Sequence, residues 1–187
     1  MKRYSIDNYD KYVDTQINRG RSKWGSLTFN PRMHRSILHD VHEYTKDAQT
    51  ICCMGIRNGN EYKEFKEHEA YKNAEIYGVD IVPEVTKVGD NCYAYDFNIL
   101  PDEWENKFDL VYSNSLDHAF DVNITLVEWR RVTKDGGYIL IVASNIDKVT
   151  ESDIYTFIPD DFIGAEKVWT IAGQVNTFNV LYKVSKL

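Results

Sequence analysis

Two glycines and an acid, spaced as a strand, a turn and the end of the next strand would space them, carry the chemistry of this chain. Residues 51 to 61 read Ile-Cys-Cys-Met-Gly-Ile-Arg-Asn-Gly-Asn-Glu, an apolar run that breaks at Gly55, turns through Gly59 and continues into helix-forming residues. Glycine at such a break permits positive φ and lets a ligand approach the backbone. A second apolar run, Glu75-Ile-Tyr-Gly-Val-Asp80, ends in a carboxylate where the neighbouring parallel strand finishes. An acid in that place can accept both hydroxyls of a ribose. Gly55 and Gly59 alone would equally serve a strand-to-helix turn; Asp80 at the next strand end turns the reading toward a bound nucleoside. A dinucleotide site wants glycine at positions 57 and 60 so that a pyrophosphate can meet the backbone. Arg57 and Asn60 stand there instead, which excludes that reading.

Other candidates follow the same logic. Asp96 closes a third apolar run, Cys92-Tyr-Ala-Tyr. An aspartate can cap its own turn, but ligands in open α/β sheets sit at the carboxyl ends of strands, and that placement favours a site. Asn58 with Glu61 three residues later has the form of a helix N-cap and its reciprocal partner, a reading placed ahead of a ligand contact for Glu61. His118 is the histidine of the expected site loop and has the titration range of a general base. Asn114, Ser115 and Asp117 beside it are binding candidates. His34, His39 and His42 are offset by five and three residues, which does not put three ligands on one helical face. They are read as surface histidines, and no metal site is expected.

The elements that must position these residues alternate along the chain. Strands are expected at 50 to 54, 75 to 79, 91 to 95, 108 to 112 and 137 to 143, with helices at about 59 to 71 and 121 to 132. Strands separated by helix-length segments imply right-handed crossovers and a parallel sheet covered on both faces. Residues 165 to 171 and 177 to 184 are joined through Gly173-Gln-Val-Asn176, too short a link for a helix, and so form an antiparallel pair at the sheet edge. The expected fold is a doubly wound, three-layer α/β/α sandwich of seven strands, mostly parallel, with an antiparallel last strand inserted beside its predecessor. Before it, residues 1 to 46 read as a helical cap or lid within one domain spanning 1 to 187. In that cap Met33, Ile37, Val41 and Tyr44 share a helical face, and Tyr9, Tyr12, Gln16 and Trp24 either close over a substrate or merely cover the sheet.

Composition bounds the partners. The 22 Lys and Arg against 29 Asp and Glu, for a net charge of -7, oppose the counterion release that drives nucleic-acid binding and favour a small molecule. No window approaches the roughly 18 apolar residues of a membrane span, and a cytoplasmic protein is expected. Cys52, Cys53 and Cys92 fall in expected buried strands without zinc-site spacing and read as reduced core thiols.

With Gly55-Ile-Arg-Asn-Gly59, Asp80, Asp96-Phe97, the run Phe108 to His118 and the run Glu128 to Ile141 in this order, the chain resembles the class I S-adenosylmethionine-dependent methyltransferases of Rossmann-like fold, over roughly residues 48 to 143. The resemblance implies S-adenosylmethionine as cofactor. It implies that the turn of Gly55, Arg57, Asn58 and Gly59 approaches the methionine part; Arg57, standing where the family has glycine, can hold either the cofactor's carboxylate or a substrate acid by paired hydrogen bonds. It further implies that Asp80 binds the ribose with Ile81 beside the adenine and that Asp96 and Phe97 meet the adenine; Asn114 and Ser115, with Asp117, are candidates to bind either the substrate or the methionine moiety. The family's matching histidine commonly packs beside the cofactor, and that role is preferred to catalysis for His118. The family's usual acid at the end of the first strand is Cys53 here, and its middle glycine is Arg57. The loop Ser113-Asn-Ser-Leu116 lacks the Pro-Pro-aromatic sequence of enzymes that methylate DNA amines. The implied activity is in-line methyl transfer to a small-molecule acceptor. A second reading, motivated by Cys53 and Arg57, is a non-catalytic methyltransferase-like module that binds cofactor or serves as a structural interaction domain. A nicotinamide enzyme is disfavoured by Arg57 and Asn60.

Overall fold

The first five strands are β1 (Thr50–Met54), β2 (Glu75–Asp80), β3 (Cys92–Ala94), β4 (Phe108–Ser113) and β5 (Thr133–Ser144); β1, β2 and β4 are apolar runs buried on both faces, while the short β3 lies at the sheet edge. The computed structural model describes residues 5–6, 8–26, 31–144, 149–151, 153–154, 165–172 and 177–186. These five strands run parallel, and β6 (Ala165–Ala172) and β7 (Thr177–Val184) complete the order β3-β2-β1-β4-β5-β7-β6. As expected, β7 is antiparallel to both its neighbours and lies between β5 and β6. The connecting turn Gly173 to Asn176 lies outside the described residues.

Strand side chains alternate between faces, and two apolar layers result. Cys52, Met54, Val111, Ile139 and Ile141 pack with Leu126 and Trp129 of α4 (Val122–Val132) and with Tyr12 of α1 (Tyr9–Ser22). Ile51, Cys53, Leu110 and Leu140 pack with Ile37, Leu38 and Val41 of α2 (Pro31–Thr45) and Phe65 of α3 (Asn60–Glu67). The α4 helix starts where the Asp121 carboxylate accepts the amides of Asn123 (2.9 Å) and Ile124 (3.2 Å). Trp129, wholly buried, donates its indole N–H to the Phe97 carbonyl at 3.1 Å and so fixes the loop after β3.

The structure corrects four expectations. The inner face of α2 is His34, Ile37, Leu38, Val41 and Thr45, while Tyr44 is 39% exposed and the Met33 side chain lies outside the described residues. The packing stripe is therefore rotated by one residue, and His34, read as a surface histidine, is core. It packs edge-on against Tyr112 and Phe65, and burial drives its pKa down to about 3. The helix expected to 71 ends at Glu67, because His68 takes extended backbone and its Nδ1 accepts the Ala70 amide at 3.3 Å. The β5 strand begins at Thr133 rather than 137, with a register shift opposite Phe108 and Leu110 and Gly136 at φ +74°. Among the described residues, no helix is long and apolar enough to cross a membrane.

Candidate functional site

The turn after β1 is built by residues in left-handed backbone. Gly55 has φ +78°, and a Cβ there would lie 2.6 Å from Ser115 Cβ; Gly59 has φ +82°, and its Cβ would lie 2.1 Å from Val88 Cγ1. Arg57 also has positive φ, +44°, an unfavourable conformation for a side-chain-bearing residue. That conformation aims the Arg57 amide at Asp80 Oδ2, 2.7 Å away, while the Val82 amide donates to Asp80 Oδ1 at 2.8 Å. The acid at the end of β2 is thus held by backbone, is 7% exposed, and keeps acceptor positions beyond these two bonds. Burial pushes its pKa up, against the pull of the two amides and of His118 and Arg57.

Around this turn the carboxyl ends of the strands open into a cleft of about 280 Å³. Gly55, Arg57, Asp80, Ile81, Asp96, Phe97, Asn114, Ser115 and His118 all line it, so candidates from four separate segments meet in one place. Asn58 and Gly59 do not. Asn58 instead donates to the Trp24 carbonyl at 2.8 Å. The N-cap expected at Asn58 is also absent: Gly59 occupies the cap position in left-handed backbone, without a side-chain bond. Glu61, released from capping, is 7% exposed and lines the cleft, with Oε1 accepting the Asn114 amide at 2.8 Å. Burial raises its pKa to about 7, despite opposing bonds from backbone and Asn114.

Asp96 accepts the Asn98 amide at 2.9 Å, and also the Asn98 side chain and the Tyr9 hydroxyl. Asn98 in turn takes the Thr125 hydroxyl at 2.5 Å and donates to the Tyr12 hydroxyl at 2.9 Å. Burial and the neighbouring Asp96 carboxylate raise the pKa of both tyrosines, so both hydroxyls remain protonated. At the other end, His118 Nε2 is 3.9 Å from Asp117 Oδ1 and Nδ1 is 3.7 Å from Asp153 Oδ1. The potential ligand atoms of this trio lie within 4.8 Å of one another, a grouping that involves none of the histidines weighed for metal from sequence.

The cleft has a roof. Tyr12, Gln16, Arg19 and Gly20 of α1 line it, with Lys23 at the helix C-cap. A Cβ on Gly20 would lie 2.3 Å from Val82 Cγ2, so the helix crosses the end of β2 closely. Arg21 pairs with Glu84 at 2.9 Å, and Arg57 Nη2 donates to the Ser26 carbonyl at 3.3 Å. Of the aromatic positions weighed as lid or cover, Tyr12 lines the cleft and Tyr9 holds Asp96. Arg19, Gly20, Lys23 and Asp153 were not read from sequence; in α1 and its C-cap the relevant signal was only the helical spacing of Tyr12, Gln16, Gly20 and Lys23. Cys53 is in the core layer with Ile51 and Phe65, and all three cysteines are free and buried.

Comparison with known proteins matches the methyltransferase-domain family model to residues 52–141. No match was found among curated proteins. Among solved structures, the chain is similar to 1,6-didemethyltoxoflavin-N1-methyltransferase from Burkholderia thailandensis, with 14% identity, TM-score 0.69, and 98% of this chain and 93% of that one covered. A SAM-dependent methyltransferase from Aquifex aeolicus is 18% identical, with TM-score 0.66 and coverage of 87% and 97%. The N-methyltransferase NodS from Bradyrhizobium japonicum is 12% identical, with TM-score 0.67 and coverage of 91% and 99%. At these identities the structural likeness is one of fold. The matched segment runs from within β1 to within β5, just under half of the chain, and the seven-stranded sheet has the fold of the S-adenosylmethionine-dependent methyltransferases to which the chain is similar.

Proposed function

We propose that the protein transfers a methyl group from S-adenosylmethionine to a small-molecule acceptor, with residues 1–187 acting as one domain and residues 1–46 as its cap. The carrying observation is the convergence of Gly55, Asp80, Phe97 and Ser115 on one roofed cleft. The residues suit the cofactor. Asp80 has acceptor positions left for two ribose hydroxyls, and Gly55, which packs against Ser115 where no side chain would fit, keeps the turn close to the cleft. Ile81 and Phe97 flank the place for adenine, and Asp96 Oδ2, already holding Tyr9, can accept its amine. Arg57, Asn114 and Ser115 line the side where the amino-acid part would extend.

When bound, the cofactor supplies a methyl group activated by a positively charged sulfur. The protein's part is alignment, and holding nucleophile and methyl in line can contribute effective molarities on the order of 10⁵ M or more. The α1 helix excludes water above the cleft. His118 would serve as base only for an acceptor that must lose its proton first. The net charge of -7 supports a small acceptor over nucleic acid; the Burkholderia thailandensis neighbour, too, was solved with a small acceptor and S-adenosylhomocysteine. A cytoplasmic location belongs to the same proposal and is supported by three free buried thiols.

Thermal-shift titration tests the reading. S-adenosylmethionine or S-adenosylhomocysteine at about 100 times the dissociation constant should add roughly 2.7 kcal/mol. Stabilisation by a nicotinamide dinucleotide, with none by either sulfur compound, would sink it.

A further inference from the structure

Glu61 lines the cleft but has no role in the cofactor assignment above. It sits on the first turn of α3, 7% exposed, with its carboxylate on the cleft and the neutral Asn114 amide as its side-chain hydrogen-bond partner among the described residues. A buried carboxylate is costly without a cationic partner. The strand end where the resembled family carries an acid holds Cys53, whose thiol lies in the core layer and does not line the cleft. We infer that Glu61 binds the α-ammonium group of the cofactor's amino-acid part, supplying from α3 the carboxylate that β1 lacks.

The inference rests on the cofactor reading, and the geometry is consistent with it at both ends. Asp80 defines the ribose end of the cleft, and the turn 55–59 leads from there to α3 and to Asn114, so the amino-acid part extends toward Glu61. The titratable and charged groups facing Glu61 are Arg57 of the turn, Asp80 of β2, Cys53 of β1 and Tyr112 of β4, with Arg19 of α1 and Lys23 at its C-cap on the same cleft. Burial keeps Cys53 and Tyr112 neutral. Glu61 itself is poised near pH 7, so an arriving ammonium ion favours its ionised form and drives a proton off.

Calorimetry of S-adenosylhomocysteine and of its nucleoside fragment methylthioadenosine, in two buffers of different ionisation enthalpy at pH 7, tests this. The wild-type protein should release a fraction of a proton with S-adenosylhomocysteine beyond any release seen with methylthioadenosine, which lacks the amino-acid part. Glu61→Gln keeps an acceptor for Asn114. It should bind S-adenosylhomocysteine about tenfold to a hundredfold more weakly without the extra proton release. Its affinity for methylthioadenosine should be unchanged, which also shows that the variant is folded. Unchanged S-adenosylhomocysteine affinity in Glu61→Gln, or equal proton release for both ligands in the wild type, overturns the inference alone. Failure of the wild type to bind either ligand overturns the cofactor reading and the inference with it.

Discussion

Two aspartates at opposite ends of the same sheet differ in how fully their acceptor positions are used. Asp109, at the start of β4, accepts the amides of Gln49 (3.0 Å) and Thr50 (2.9 Å) and the Thr50 hydroxyl (2.8 Å) on Oδ2, and Lys134 at 2.8 Å on Oδ1. Burial raises its pKa, but Lys134, Thr50 and the two amides outweigh this and hold it below the usual carboxylate range. Asp80, at the end of β2, has two backbone donors, no ion pair among the described residues, and a face on the cleft; its pKa moves the other way. A carboxylate whose acceptor positions are filled and whose charge is balanced stabilises the fold. One held in place but left short of donors has its remaining capacity available to a ligand.

Replacement of each separates the two roles. Asp80→Ala would remove the two charge-assisted bonds to ribose proposed for it, each worth about 1.5–3 kcal/mol. Affinity for S-adenosylhomocysteine should fall about a hundredfold or more, as read by calorimetry; an unchanged value removes Asp80 from the site. Asp109→Asn lies far from the cleft, so affinity should hold. It should cost about 1–2 kcal/mol of stability in urea unfolding at pH 7, given partial solvent screening of the Lys134 pair. The sign of its pH dependence follows from the depressed folded-state pKa. The stabilisation is complete above the unfolded value near 3.9 and is lost as pH falls through the folded value. The gap between wild type and Asp109→Asn should therefore close in acid, and a gap constant down to pH 3 would show that the ionised carboxylate is not its source.

The same contrast explains what could be read from sequence. The sheet, the glycine turn and the acids at strand ends were legible because apolar runs, turn residues and strand-end acids are local signals, and parallel topology brings strand ends together. Glu61 was misread because Asn58 and Glu61 carry a valid local capping pattern, and only the left-handed backbone of Gly59 shows that the cap is not used. His34 was misplaced because a one-residue rotation of α2 leaves its periodicity almost unchanged. Arg19, Lys23 and Asp153 reach the cleft from segments distant in sequence, and no local pattern specifies that crossing.

The smallest expected effect gives the sharpest test of the contrast. Asp80→Asn keeps one backbone bond and turns an amide N–H toward the other donor, a loss of up to about 1 kcal/mol. It also removes a buried charge. Because the folded pKa of Asp80 is raised, its ionised form is disfavoured in the native state. Its favourable contribution is complete only below the unfolded value near 3.9 and fades as pH rises through the folded one. At pH 7 the two changes oppose each other, and unfolding free energy should stay within about 1 kcal/mol of wild type while cofactor affinity falls. Asp109→Asn should show the reverse pattern. If Asp80→Asn instead destabilises the protein as much as Asp109→Asn, the backbone bonds of Arg57 and Val82 have made Asp80 a structural residue, and the distinction between the two ends of the sheet fails.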